Sequence, residues 1–166
     1  MSGFGSGIIP KGTGVVMNNG MMWYDPVPGR VNSVAPGKYP LNNMTPCIVL
    51  GNDGVEIAVG ASGGRRITNC VTSLLVKMID YNLNPQEAID APRVDCSSDF
   101  TDLTSEIDQN TINELIQKGH KIIKLSYELL RTGINMFASP EAITRKNNQL
   151  RAGGDSFHTA YAQGLT

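Results

Sequence analysis

The strongest constraint on the fold of this chain is a run of small residues between two differently patterned segments. Residues 60–64 read Gly-Ala-Ser-Gly-Gly, after the largely apolar residues 55–59 and before a helical pattern that extends from Arg65 to about Tyr81. The sequence therefore predicts a strand that passes through a tight glycine turn directly into a long helix. The apolar positions of the helical pattern recur at steps of three and four residues, as on one helix face: Ile67, Val71, Leu74, Leu75, Met78 and Ile79.

An Asp-Gly pair predicts that the same strand is half of a hairpin. Asp53-Gly54 separates residues 55–59 from the apolar residues 47–50. Asp-Gly between two apolar runs is typical of a tight β-turn. Because the first strand holds almost only apolar side chains, we expect it to be covered on both faces.

The rest of the chain mixes helix and strand signals. Residues 15–18 predict a short strand, and residues 25–40, which hold four prolines, predict a long irregular loop. This mixture favours an α+β fold of largely antiparallel strands covered by helices, in a single domain over residues 1–166. The predicted downstream elements are a helix opened by Asn84-Pro85 and ended by Pro92, a helix over residues 109–118 capped by Asp108 and stopped by Gly119, a strand over residues 122–125, and a hairpin of residues 134–138 and 142–144 around Ser139-Pro140.

Composition excludes several classes of protein and partner. The 166 residues are 40% hydrophobic and 17% charged, which is typical of a folded domain and not of a disordered chain. A formal net charge of -1 gives no reason to expect nucleic acid or acidic lipid as a partner, and no apolar run is long enough to span a membrane. We therefore expect neither nucleic acid nor membrane among the partners.

The cysteines and histidines point to no cofactor. Cys47, Cys70 and Cys96 are odd in number and widely spaced, which argues against a disulfide framework or a zinc site. We interpret them as structural residues, because free cysteine often behaves as a small buried hydrophobe. His120 and His158 lack a local partner typical of a triad or metal site and are interpreted as structural or surface residues. No pair of carboxylates has a spacing that favours acid–base catalysis.

The glycine turn at residues 60–64 has two interpretations. The first backbone N–H groups of a helix have no intrahelical acceptor and carry the positive end of the helix dipole, so they favour an anion. With glycines that allow close approach, such a turn can serve as an oxyanion hole for a reacting carbonyl. The alternative is a strand-to-helix turn that uses glycine only for its conformation. Taken alone, the second interpretation is the commoner one.

Two loop segments could contact a substrate. Asn42 and Asn43 lie between Pro40 and Pro46, and their amides could hold a polar group or simply cap loop backbone. Residues 17–24 bring methionines and aromatic residues to the start of the long loop, where they could pack internally or line an apolar pocket.

Charged residues near helix ends predict ion pairs. Arg65 and Arg66 open the long helix, where the dipole disfavours cations. We expect a carboxylate or an anionic ligand to offset that charge, and a salt bridge is the simpler answer. Asp90 and Arg93 flank Pro92 and predict a structural pair.

Five segments, in this order, resemble landmarks of the small subunit of gamma-glutamyltranspeptidases. The resemblance extends from about Gly3 to Arg93 and fades afterwards. Five landmarks in register are far more specific than any single one. The segments are residues 4–7, 17–19, 40–46, 60–67 and 88–93.

The resemblance implies an N-terminal-nucleophile hydrolase with an αββα four-layer sandwich, incomplete in this chain. In that family a proenzyme cleaves itself and frees an N-terminal threonine, which attacks a gamma-glutamyl amide to give an acyl-enzyme. It also implies that the backbone N–H groups of Gly63 and Gly64 form the oxyanion hole. Asn42 and Asn43 occupy the positions of a serine pair that binds the substrate's α-carboxylate, and their amides can still donate to it.

Two departures from the family pattern change these expectations. The family's nucleophile motif lies upstream of residues 4–7, so no residue here matches it, and Thr13 lies beyond that landmark. We therefore expect the chain alone to be inactive, and we expect a partner that supplies the nucleophile. That partner is the N-terminal portion of the same enzyme, its large subunit and nucleophile segment, with a homo-oligomer as a further expectation. The substrate would be a small amide or peptide-like molecule.

The second departure concerns the acyl pocket. Gamma-glutamyl specialists carry a glutamine and an aspartate where this chain has Gly20 and Trp23. Losing the carboxylate partner of the substrate ammonium removes a charge-assisted bond of about 2 kcal/mol. An acylase-like relative with a bulkier or less polar acyl group is therefore an alternative. A non-catalytic binding or scaffold homologue is another, and an independent small binding domain is the third.

Overall fold

The Asp-Gly hairpin is formed as the sequence predicts. The computed structural model describes residues 5–126, 137–156 and 162–163, and in it strand β1 (Cys47–Gly51) pairs antiparallel with β2 (Gly54–Ser62). Gly54, with φ +100, supplies the left-handed backbone that the turn requires. The chain groups into two units, Met1–Asn42 and Asn43–Thr166, and the hairpin belongs to the second.

The hairpin is part of a four-stranded antiparallel sheet in the order β1-β2-β6-β7. Strands β6 (Ser139–Lys146) and β7 (Gln149–Gly154) join at Asn147 and Asn148, both at positive φ. The predicted turn at Ser139-Pro140 is therefore wrong, while residues 134–136 of that prediction lie outside the described residues. Pro140 is only the second residue of its strand, where a missing N–H is tolerated.

Helices α1 (Ile67–Ile79) and α2 (Pro85–Asp90) cover one face of this sheet. Both confirm the sequence prediction. The first turn of the long helix is a 3-10 turn, Gly64–Arg66, and the second helix begins with a capping box between Asn84 and Glu87. The buried core lies between helices and sheet and consists of Ile57, Val59, Ile67, Val71, Leu74, Met78, Ala88, Ile89, Ala138 and Ala142.

The opposite face of the sheet exposes several aliphatic side chains, beside the charged Glu56, Glu141 and Arg145, in the described part of the chain. Ile48 is 66% exposed and Leu50 is 71% exposed, and Ile143 and Leu150 are exposed as well. The expectation that the first strand is covered on both faces is therefore wrong for this chain. Exposed aliphatic rows of this kind mark contact surfaces in folded proteins.

A second sheet has three strands in the order β3-β4-β5. Strands β3 (Val94–Asp95) and β4 (Thr101–Thr104) are antiparallel, while β4 and β5 (Ile122–Leu125) are parallel and are connected through α3 (Gln109–Gln117). The Asp108 side chain accepts from the Thr111 N–H and caps α3, as predicted. The structure thus confirms the α+β class.

The unit Met1–Asn42 has irregular structure in its described residues, apart from a 3-10 turn at Gly20–Trp23. The prediction of a strand at residues 15–18 is wrong. The backbone of this segment makes two hydrogen bonds with the facing loop, Ser6 N–H to Met17 O and Met17 N–H to Ile8 O, which are too few for a β-ladder. The predicted irregular loop over residues 25–40 is confirmed.

Candidate functional site

The turn between β2 and α1 has a backbone that requires glycine. Gly63 has φ +143 and Gly64 has φ +65, a range that side chains rarely adopt. A Cβ atom on Gly63 would lie 2.6 Å from the Cα of Ala138 and 2.8 Å from its Cβ. The sequence thus uses glycine here both for its conformation and for close packing against the start of β6.

The turn presents free backbone donors. Within the described parts of the chain, neither Gly63 nor Gly64 donates its N–H to an acceptor. The Gly64 carbonyl, in contrast, accepts from Ile67 N–H and closes the 3-10 turn. Two unsatisfied N–H groups at the N-terminus of a 13-residue helix form a site that favours negative charge.

Asn43 is brought directly to this turn. Its Nδ2 donates to the Gly64 carbonyl oxygen at 2.6 Å. Thr45 Oγ1 donates to the Asn43 carbonyl at 3.2 Å and lies 3.2 Å from Thr68 Oγ1 in the first turn of α1. One of the two amide hydrogens of Asn43 therefore holds the turn, and the other has no acceptor among the residues that the structure describes. The sequence left two roles open for Asn43, a substrate contact or a bond to loop backbone, and the bond to Gly64 is of the second kind.

The other predicted site residues lie in the unit Met1–Asn42. Asn42 is its last residue. Gly20 begins the 3-10 turn and its N–H donates to Asn18 Oδ1 at 2.8 Å, while Trp23 ends the turn and its carbonyl accepts from Asn32 Nδ2 at 2.7 Å. The structure thus brings Gly20 and Trp23 together on one fixed turn.

The salt bridge predicted from the position of Arg66 at the helix N-terminus is confirmed. Arg66 Nη2 lies 3.6 Å from Asp102 Oδ2 and its Nε lies 3.7 Å from Asp95 Oδ1. Both carboxylates are almost completely buried, at 3% exposed for Asp95 and 4% for Asp102. Burial raises the pKa of the Asp102 carboxyl above its usual range, the Arg66 charge opposes that rise, and the Asp95 charge adds to it.

Arg93 pairs with a different residue than the sequence predicts. Its Nη2 lies 2.9 Å from Asp155 Oδ1, and its Nη1 donates to the Ala138 carbonyl at 3.3 Å. Asp90 instead accepts from Gln86. The predicted Asp90–Arg93 pair is therefore wrong, because the buried Asp155 needs a cation more than the exposed Asp90 does.

Two concavities lie elsewhere in the second unit. A small one of about 20 Å³ contains Cys70, Lys77 and Arg93, and an open one of about 850 Å³ lies between the end of α1 and the β6–β7 hairpin. Burial raises the pKa of the Cys70 thiol to about 11, so it is protonated at neutral pH and is a poor nucleophile. Burial also lowers the pKa of Lys77, whose amine donates to the Pro92 carbonyl at 2.9 Å.

The other cysteines and the histidine within the described residues make no further site. Cys96 is exposed, which contradicts a buried role for that thiol, whereas Cys47 and Cys70 are partly buried. His120 Nδ1 contacts Thr101 Oγ1 at 3.2 Å, a structural contact, and His158 lies outside the described residues. The described ranges contain no cluster of His, Cys, Asp and Glu that could hold a metal ion. They also contain no helix with the length and apolarity that a membrane crossing needs.

Comparison with known proteins gives a consistent set of relatives. The family model described as gamma-glutamyltranspeptidase matches residues 1–165. The acylase ACY 1 proenzyme of Pseudomonas sp. (strain SE83) is 36% identical over 121 residues, which are 73% of this chain and 22% of that protein. The glutathione hydrolase proenzyme of Pseudomonas sp. (strain A14) is 37% identical over 100 residues, 54% of this chain and 17% of that protein.

A solved structure shows the same similarity in three dimensions. A mutant gamma-glutamyltranspeptidase from Helicobacter pylori matches with a TM-score of 0.76 and 26% identity, over 95% of this chain and 89% of that chain. The matched part of this chain spans about a fifth of the length of the curated relatives.

Proposed function

The chain belongs to the gamma-glutamyltranspeptidase family, and from that premise we propose that it forms the substrate and oxyanion side of an acyl-transfer site. The fold is the α+β sandwich of N-terminal-nucleophile hydrolases, incomplete in this chain. The whole enzyme would be an amidohydrolase or acyltransferase. Its nucleophile would be a threonine outside this chain, as the family resemblance implies.

The Gly63–Gly64 turn is the observation that carries this proposal. When a nucleophile attacks an amide carbonyl, the oxygen gains negative charge, and N–H donors already in place stabilise it. Gly63 and Gly64 offer such donors at a helix N-terminus, with no acceptor of their own in the described residues. One donor of this kind is worth roughly a hundredfold to a thousandfold in kcat.

Substrate selection would involve both loop segments. The amide hydrogen of Asn43 that does not bind Gly64 could donate to a carboxylate of the substrate, with Asn42 as a second donor. Gly20 and Trp23 would shape the acyl pocket. Because Trp23 has no carboxylate to accept a charge-assisted hydrogen bond from an ammonium group, we favour an acyl group that is bulkier or less polar than gamma-glutamyl. The acylase and glutathione hydrolase relatives represent these two alternatives.

The open sheet face supports a partner for this chain. The side chains of Ile48, Leu50, Ile143 and Leu150 expose aliphatic surface on this face, which folded proteins usually bury. The relatives are named proenzymes and are much longer than the matched part. We therefore propose that the N-terminal portion of the same enzyme covers this face.

The test uses the complete protein and two sets of chromogenic anilides. We expect a higher kcat/KM on aliphatic or aromatic N-acyl anilides than on gamma-glutamyl anilide, and no amidase activity from the isolated chain. The variant Trp23→Asp restores a carboxylate, so the preference should shift toward gamma-glutamyl anilide by about 2 kcal/mol, or roughly thirtyfold.

Met21→Asp is the matched control, since it adds the same charge two residues away at an exposed position. It should leave the preference within about twofold of the wild type. A wild-type preference for gamma-glutamyl anilide would refute the acyl-pocket argument. Wild-type activity from the isolated chain would refute the external nucleophile.

A further inference from the structure

Arg66 links the glycine turn to the three-stranded sheet. It is the last residue of the 3-10 turn Gly64–Arg66 and the residue before α1, where the helix dipole disfavours a cation. Its guanidinium contacts Asp95 on β3 and Asp102 on β4. The sequence separations of 29 and 36 residues show that these contacts are tertiary and not part of a local cap.

The two aspartates need this cation to coexist. Asp95 and Asp102 are direct Cα partners across the antiparallel β3–β4 pair, and both are almost fully buried. Like charges directly opposite one another in a sheet are destabilising, and a buried charge that loses its partner is strongly so. Arg66 lies against both carboxylates, and its single positive charge offsets part of their repulsion.

The cluster is anchored independently of Arg66. Asp95 Oδ1 accepts from Ser97 N–H at 3.0 Å, which fixes the carboxylate on its own strand. Asn69, in the first turn of α1, accepts from Cys96 N–H and Ser97 N–H at 3.2 Å when its amide oxygen faces them. Two side chains therefore hold the start of α1 to the three-stranded sheet: the charged Arg66 contacts β3 and β4, and the neutral Asn69 contacts the segment after β3.

Asn43 attaches the same turn to a different part of the fold. Asn43 holds the Gly64 carbonyl from the loop before β1, whereas Arg66 holds the same 3-10 turn from β3 and β4. The turn is closed by the bond from Ile67 N–H to Gly64 O, so Gly64 and Arg66 belong to the same hydrogen-bonded turn.

We propose that Arg66, clamped between Asp95 and Asp102, is a positioning residue that fixes the Gly63–Gly64 donors for the acyl-transfer reaction. The inference rests on the proposed function of that turn. Donors act on the transition state only when they already point at the oxygen that becomes charged, and a displacement of about 1 Å can cost a hundredfold in rate. Loss of the clamp should therefore lower kcat and leave substrate binding nearly unchanged.

The experiment compares Arg66→Met with Arg65→Met in the complete protein. The two substitutions are chemically the same and adjacent, but Arg65 is exposed and takes part in none of the ion pairs among the described residues. The kcat per titrated acyl-enzyme should fall about tenfold to a hundredfold in Arg66→Met, with KM within about twofold. Arg65→Met should keep both values within about twofold.

A second variant covers the case in which Arg66→Met does not fold. Asp102→Asn keeps the shape of the side chain and removes one carboxylate charge, so kcat should fall by a smaller factor of about threefold to tenfold. Amide hydrogen exchange of the Ile67 N–H, which donates to the Gly64 carbonyl and closes the turn, reports the turn directly. It should become faster in both variants and stay unchanged in Arg65→Met.

The outcomes separate the inference from the proposed function. If wild-type protein forms acyl-enzyme but both clamp variants keep wild-type kcat per active site and wild-type exchange, the positioning role is refuted and the function stands. Lower stability with an unchanged kcat in the folded fraction would show that the cluster is only structural, which also refutes the role. A wild-type protein that forms no acyl-enzyme would overturn both.

Discussion

Replacing Gly63 with alanine would force a Cβ atom into the backbone of the neighbouring strand. The added atom would lie 2.6 Å from the Cα of Ala138, where a normal contact is near 4 Å. Because the obstacle is backbone and not the flexible end of a side chain, either the turn or the start of β6 has to move. Gly63 also has φ +143, which an alanine adopts only under strain.

The expected magnitude is the sum of these two effects. Holding a side chain in a sparsely populated backbone region costs about 1–3 kcal/mol, and overpacking by one carbon costs about 1–3 kcal/mol more. The free energy of unfolding should therefore fall by roughly 2–6 kcal/mol, a large part of the stability of an ordinary domain. Displacement of the turn should also abolish most acyl transfer.

The variant Gly119→Ala separates the cost of the backbone conformation from the cost of the steric clash with Ala138. Gly119 also has a positive φ, +93, but a Cβ there meets no atom within 4 Å. Urea unfolding of the complete protein should show a loss of about 1–3 kcal/mol for Gly119→Ala and a clearly larger loss for Gly63→Ala. Equal losses in the two variants would refute the close contact with Ala138, and a loss below about 0.5 kcal/mol for Gly63→Ala would refute the required conformation as well.

Two further predictions concern stability. Asn84→Ala removes the side-chain half of the capping box of α2, so urea unfolding should show a loss of about 1 kcal/mol, and no measurable loss would contradict the cap. Burial raises the pKa of Asp102 above the ordinary value of 3.8, so the folded protein holds this proton more tightly than the unfolded chain. The contribution of Asp102 to the free energy of unfolding is therefore largest at low pH. It is lost as the pH rises from about 3.8 through the pKa of the folded state. Unfolding curves at several pH values should show this decline in the wild type and a smaller one in Asp102→Asn, and identical pH dependence in both would refute the assignment.

The sequence predicted those turns and helix ends that are stabilised by residues close to them in the chain. Asp53-Gly54 predicted the hairpin, Asn84-Pro85 the start of α2, and Asp108 the start of α3, because turns and caps are made by side chains within a few residues. Signals that need a partner strand were misread. Ser139-Pro140 resembles a turn in isolation, but pairing with Ala61 and Ser62 of β2 keeps it extended.

The site divides in the same way. The sequence by itself identified the Gly63–Gly64 turn, because the junction of a strand pattern, two glycines and a helix pattern is local, and it also showed that Arg66 requires a negative partner. Only the tertiary structure decided which partners are used: Asn43 on the Gly64 carbonyl, Asp95 and Asp102 on Arg66, and Asp155 on Arg93. Charge and hydrogen-bonding capacity are properties of single residues and can be read from the chain. Which groups meet depends on how strands far apart in sequence are brought into register, and that is set by burial of the shared core.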